Sequence, residues 1–172
     1  DFDEILKKIL DNDKKATIYF IEDDDEVLSK KIYERLKNKI PNNIEKIKFI
    51  KKLGYEEFIN HCGHASVLLD PLYFGGGNSF HESMFFGTPT VSMPSKYLRS
   101  RVVLGSYNQM NIENPPIVKS IDEYVSTAIE IANKEPNQLL QQKKYYANSA
   151  DKELYENKNS IIEIEKILTN LF

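Results

Sequence analysis

Residues 66–94 read SVLLDPLYFGGGNSFHESMFFGTPTVSMP, and three of the chain's seven glycines stand side by side in this stretch. SVLLD, residues 66–70, is an almost wholly apolar run that ends on a carboxylate, the pattern of a strand buried on both faces. PLYFGGG supplies turn residues, and SFHESMFFG, residues 79–87, has the length of a short helix. PTVSMP, residues 89–94, is extended again. Strand, glycine loop, helix and strand in that order form the repeating unit of a parallel sheet, whose neighbouring strands need a crossover.

The same alternation runs outward in both directions. DFDEILKKILDND places Phe2, Ile5, Leu6, Ile9 and Leu10 on one helical stripe, with acids in the first turn. ATIYFIE predicts a buried strand. DEVLSKKIYERLKNKI predicts a helix whose stripe is Val27, Leu28, Ile32, Leu36 and Ile40, stopped by Pro41. IEKIKFI reads as a strand and GYEEFINHCGHA as a short helix. Beyond the central stretch, KYLRSRVVLGSYNQM predicts a helix and PPIVK a brief extended piece. From SIDEYVSTAIEIANKE to the end the pattern is helical, with a break at Pro136. The expected fold is a Rossmann-like α/β domain of three layers, α/β/α, with a mainly parallel sheet of about six strands and C-terminal helices over 121–172. The whole of 1–172 reads as a single domain.

Apolar residues make up 41% and charged residues 28% of the chain, with a net charge of −3. That balance argues against a nucleic-acid surface, which carries a basic excess. No apolar run approaches a membrane span. The lysines at 46, 48, 51, 52, 143 and 144 read as solvated faces. The lone Cys62 excludes an internal disulfide and fits a reducing, cytoplasmic setting. Between His61 and His64 it invites a zinc reading, but no fourth ligand has recognisable spacing, so a partly buried helix end is preferred and no metal is expected. The chain opens in a helical pattern without an initiator Met, and is expected to be a piece of something longer.

Ligands of open parallel sheets bind beyond the carboxyl ends of the strands, which is where PLYFGGGNS falls. Asn78 or Ser79 is a good N-cap. Glycines let backbone amides approach a phosphate, and can turn to positive φ to form a nest of N–H groups. The spacing is neither GxGxxG nor GxxxxGK[ST]. Glu82, three residues past Ser79 and on its face, suits either a capping box or a ribose; both readings stand.

The segment DPLYFGGGNSFHESMFFGTPTVSMP resembles the donor-nucleotide segment of GT-B glycosyltransferases, and more narrowly the O-GlcNAc transferase-like family, which includes the Spindly-type protein fucosyltransferases. The resemblance rests on Asp70, Pro71, Gly76 to Ser79, Glu82, Gly87-Thr88-Pro89, TVSMP and Ser100-Arg101, in order. It implies the C-terminal, sugar-nucleotide-binding half of an inverting glycosyltransferase, with a missing N-terminal half. By that resemblance the donor would be a UDP-sugar such as UDP-GlcNAc, or a GDP-sugar, and the acceptor a protein hydroxyl or a glycan. By position, Gly76, Gly77, Asn78 and Ser79 would hold the diphosphate and Glu82 the ribose. Tyr55, Phe58 and His61 would line the base region; Arg101 could reach a phosphate or cap a helix.

The chain departs from the pattern in two places. O-GlcNAc transferases carry Lys, His and Arg in the base segment, where Tyr55, Phe58 and His61 stand here; Tyr55 or Phe58 could stack on the base instead. The family Lys that contacts the diphosphate falls upstream of Asp1. Related retaining enzymes have two glutamates eight apart; Glu82 would be the second and Phe74 occupies the first position, so the chain fits an inverting transferase better. The resemblance assigns no catalytic residue. His81 points away from a ligand held by Glu82, since adjacent helical positions diverge by about 100°. Arg99 reads as surface, and the pairs Phe85-Phe86 and Tyr145-Tyr146 as packing. Two other functions stay open: a receiver- or flavodoxin-like domain, suggested by the acidic run Glu22–Glu26, and a non-catalytic nucleotide-binding domain. A receiver also needs a Lys-bearing strand, and GTPTVSMP offers no Lys.

Overall fold

The computed structural model describes residues 2–22 and 24–171. Asp23, in the acidic run, lies outside the described residues, as do Asp1 and Phe172. Helix α1, Phe2–Asn12, buries Ile5, Leu6, Ile9 and Leu10, the stripe its spacing predicts. Strand β1, Ile18–Ile21, pairs in parallel with β2, Ile47–Ile50, in the register Ile18 with Ile47. Between them runs α2, Glu26–Lys39, whose first turn is capped by the Asp25 side chain on the Val27 and Leu28 N–H groups. Val27 and Leu28 are exposed, against the sequence expectation. Leu36 and Ile40 are buried and Ile32 partly so, and they meet α1 and the strands. The helix thus turns its first turn away from the core and seats itself by its second half.

Helix α3, Tyr55–His64, leads to β3, Leu68–Leu69, and the glycine loop leads to α4, Asn78–Ser83, and β4, Thr90–Val91. β3 pairs in parallel with β4, and Ser92 bridges in parallel to Ile117 in the extended piece that PPIVK predicts. The remaining helices are α5, Val102–Gln109; α6, Ile121–Ala132; α7, Pro136–Glu153; and α8, Lys158–Thr169. A short 3-10 turn, Leu98–Ser100, replaces the first part of the helix expected over 96–110.

The chain is therefore mixed α/β and mostly helical. Among the described residues the expected sheet of about six strands is not present; there are two separate two-stranded parallel pairs and one bridge. Proline explains the short ladders in the second pair. Pro71 follows β3 closely, Pro89 precedes β4, Pro94 follows it, and Pro115-Pro116 open the bridged segment. A residue without an N–H cannot extend a ladder. Leu69 packs into the cluster of α1, α2 and the first pair, and also into the cluster of α1, α6 and the second pair. The two pairs are thus joined through side chains. A third cluster lies behind the glycine loop: Phe80 and Met84 of α4 pack on Val103 and Tyr107 of α5 and Tyr146 and Ala150 of α7. The apolar residues of α8, by contrast, are exposed, Ile161, Ile164, Ile167 and Leu168 among them, and so is Leu171 just beyond it.

Candidate functional site

The centre of the site is a buried acid, Asp70, at the end of β3. One carboxylate oxygen accepts the Gly76 N–H at 2.7 Å, and the other accepts the Ser92 hydroxyl at 2.5 Å. Burial raises its pKa, with both hydrogen bonds opposing the shift. The glycine loop wraps this group. A Cβ on Gly75 would lie 3.0 Å from both carboxylate oxygens, so glycine is what allows the close approach.

A second tether holds the loop from the other side. The Gly75 N–H donates to the Arg99 carbonyl at 2.9 Å, and Arg99 Nε donates to the Tyr73 carbonyl at 2.9 Å. Arg99 belongs to the Leu98–Ser100 turn, which is stiffened by Ser100 Oγ: it lies 2.6 Å from Ser95 Oγ and accepts the Ser95 N–H at 3.0 Å. Arg101 donates from Nη1 to the Ser95 carbonyl and caps the start of α5 with its own carbonyl. Arg99 is exposed, as its surface reading expects, and it also binds the loop.

With the Gly75 and Gly76 amides committed, the next three are free. No acceptor among the described residues takes the N–H of Gly77, Asn78 or Ser79. The N-cap of α4 is Gly77 rather than Asn78 or Ser79, and no side chain caps it. Asn78 and Ser79 are exposed, and a Cβ at Gly77 would meet nothing within 4 Å, so these amides border open space. The expected positive φ is absent from the loop; among the described glycines only Gly87 has one. The amides are thus presented by a loop running into a helix, without a left-handed nest.

Glu82 is half-buried one turn on, and its carboxylate makes no hydrogen bond or ion pair among the described residues. The capping-box alternative is not realised. Its charge is felt by two neighbours. Burial, and then Glu82, push the Cys62 thiol up to about 11, which keeps it protonated and unreactive. Burial lowers the pKa of His81, with Glu82 opposing. His81 Nε2 lies 3.1 Å from Ser106 Oγ of α5, so this imidazole faces the α5 packing.

Helix α3 packs against α4. Tyr55 and His61 are exposed on it and Phe58 is half-buried; His61 Nδ1 lies 3.0 Å from the Glu57 carbonyl. Two contacts fix α3 against its neighbours. Thr88 Oγ1 donates to the Cys62 carbonyl at 2.8 Å, and Lys143 Nζ donates to the Gly63 and Ala65 carbonyls at 2.7 and 2.6 Å. Lys143 thus ties down the C-terminal end of α3, where a solvated face was expected. In the acidic run, Asp25 caps α2 and Asp24 pairs with Lys52.

The run of glycines marks this loop as a candidate site in the sequence. It carried no signal for Ser92 or Arg99, whose contacts with the loop region exist only in the folded chain. Asp70 was legible as a strand end, not as the anchor of the loop.

No protein-family model matches the chain, and no curated protein does. Among solved structures it superposes on an O-GlcNAc transferase mutant of Thermobaculum terrenum with a TM-score of 0.83 at 16% identity, over 97% of this chain. Its fold is glycosyltransferase-like. The chain spans about a third of that transferase, 32% of its length. Among the described residues no helix is long and apolar enough to cross a membrane, and no group of His, Cys, Asp and Glu side chains is placed to hold a metal.

Proposed function

We propose that this chain is the sugar-nucleotide-binding part of an inverting glycosyltransferase. The donor is a UDP-sugar such as UDP-GlcNAc, with a GDP-sugar as the other class. The acceptor is a protein hydroxyl or a glycan, presented by the remainder of a longer enzyme. The observation that carries this reading is the run of three unpartnered amides at Gly77, Asn78 and Ser79, facing open space beyond the end of β3.

The chemistry follows from what a leaving nucleoside diphosphate needs. Negative charge grows on its oxygens in the transition state, and N–H donors already fixed in place stabilise it without reorganising. Glu82, half-buried and unpaired, is the candidate acceptor for the ribose hydroxyls. Tyr55, Phe58 and His61 on the adjacent α3 are the candidates for the base, Tyr55 and Phe58 by stacking. Arg101 is the candidate for an outer phosphate oxygen, once its bond to the Ser95 carbonyl is exchanged. No catalytic base is assigned. The lone, buried Cys62 accords with a reducing, cytoplasmic setting.

Isothermal titration of the folded chain with UDP, GDP and UDP-GlcNAc tests the proposal. Binding of at least one is expected, and Glu82→Ala should weaken it by about 1–3 kcal/mol, the scale of a hydrogen bond to a charged group. Absence of heat with all three at millimolar concentration overturns the donor-site reading.

A further inference from the structure

A carboxylate is an odd neighbour for an anion site. Asp70 is only 4% exposed, and its charge would oppose a diphosphate held on the next turn of chain. A buried carboxylate persists where its oxygens are hydrogen-bonded. Here one oxygen holds the Gly76 N–H and the other the Ser92 hydroxyl. Ser92 is itself fixed: its N–H donates to the Pro116 carbonyl at 3.1 Å, and its carbonyl accepts the Val118 N–H at 2.9 Å. The Tyr124 hydroxyl lies 2.8 Å from the Val91 carbonyl and 3.0 Å from the Asp70 carbonyl. The carboxylate therefore connects the Ser92–Ile117 bridge to the residue that precedes the free amides.

We infer that Asp70 is the positioning residue of the cradle: by taking the Gly76 N–H on one oxygen and the Ser92 hydroxyl on the other, it holds the loop so that the Gly77, Asn78 and Ser79 amides stay free for the diphosphate. Gly75 belongs to the same device, since any side chain there would press on both carboxylate oxygens. The inference rests on the donor-site reading above.

The test is titration of UDP into the wild type, Asp70→Ala, Asp70→Asn and Gly75→Ala, with circular dichroism to confirm folding. Asp70→Ala removes the acceptor and should weaken UDP binding by about tenfold or more. Asp70→Asn keeps an oxygen for the Gly76 N–H and an amide for the Ser92 oxygen, and should stay within about threefold of wild type. A role limited to overall stability would lower the melting temperature of both variants and leave UDP affinity in the folded fraction unchanged. Folded Asp70→Ala binding UDP like the wild type, or Asp70→Asn losing as much as Asp70→Ala, overturns the inference. If Asp70→Ala does not fold, Gly75→Ala decides, with the loss of UDP affinity supporting and its retention overturning. A wild type that binds no nucleotide fails the donor-site reading itself, whereas a binding wild type with unaffected variants fails the positioning role alone.

Discussion

A Cβ on Gly87 would stand 1.9 Å from the Lys143 carbonyl oxygen of α7. The backbone at Gly87 is also left-handed, with φ of 65°. The Gly-Thr-Pro turn after α4 is therefore built against α7 with no room for a side chain. Gly87→Ala combines left-handed strain with a backbone clash, and should destabilise the chain by about 3 kcal/mol or more. Urea unfolding of the variant measures it; a loss below about 1 kcal/mol would mean that α7 can move away at little cost.

The Tyr107 hydroxyl donates to the Thr90 carbonyl and accepts the Thr90 N–H at 2.8 Å, both inside the buried cluster behind α4. Tyr107→Phe keeps the ring and strands two buried backbone groups. A loss of about 1–3 kcal/mol is expected by chemical denaturation, with the fold retained.

Asp70 makes stability depend on pH in a direction opposite to most carboxylates. Its folded pKa is raised by burial above the ordinary value of 3.8. The folded state therefore holds the proton more tightly than the unfolded chain, and stability falls as pH rises from that value through the folded pKa. Asp70→Asn removes the titration. The stability of the wild type minus that of Asp70→Asn should thus decline across that window; a difference that is flat or rising contradicts the assignment.

How far the sequence was legible depends on whether a feature is local. The α1 stripe of Ile5, Leu6, Ile9 and Leu10 and the helix break at Pro136 follow from spacing and from proline, and both are where the pattern puts them. Val27 and Leu28 share the helical period of Leu36, yet they are exposed, because periodicity names a face and not how far the core extends along it. Sheet continuity was not legible either, since it depends on which strands hydrogen-bond across space. At the candidate site, the glycine run marked the loop. Which amides are free was decided by Asp70 and the Arg99 carbonyl, contacts that no short-range pattern encodes.

Helix α8 illustrates the same limit. Ile164 and Leu168 have core-like spacing and lie exposed. Ile164→Glu and Leu168→Glu should each change the stability of the chain by no more than about 0.5 kcal/mol, as at other surface positions. Thermal melts of the two variants check this, and a loss above about 2 kcal/mol would place that face in a packed core.

The central claim is that the Gly77, Asn78 and Ser79 amides receive a diphosphate. The most direct measurement is a backbone amide NMR titration with UDP and GDP, residue by residue. The account predicts that the largest shifts, saturating with ligand, fall on those three amides, with smaller ones at Glu82 and along Tyr55–His61. Saturable shifts that leave 77–79 unmoved and cluster elsewhere, or no shifts at millimolar nucleotide, would contradict it.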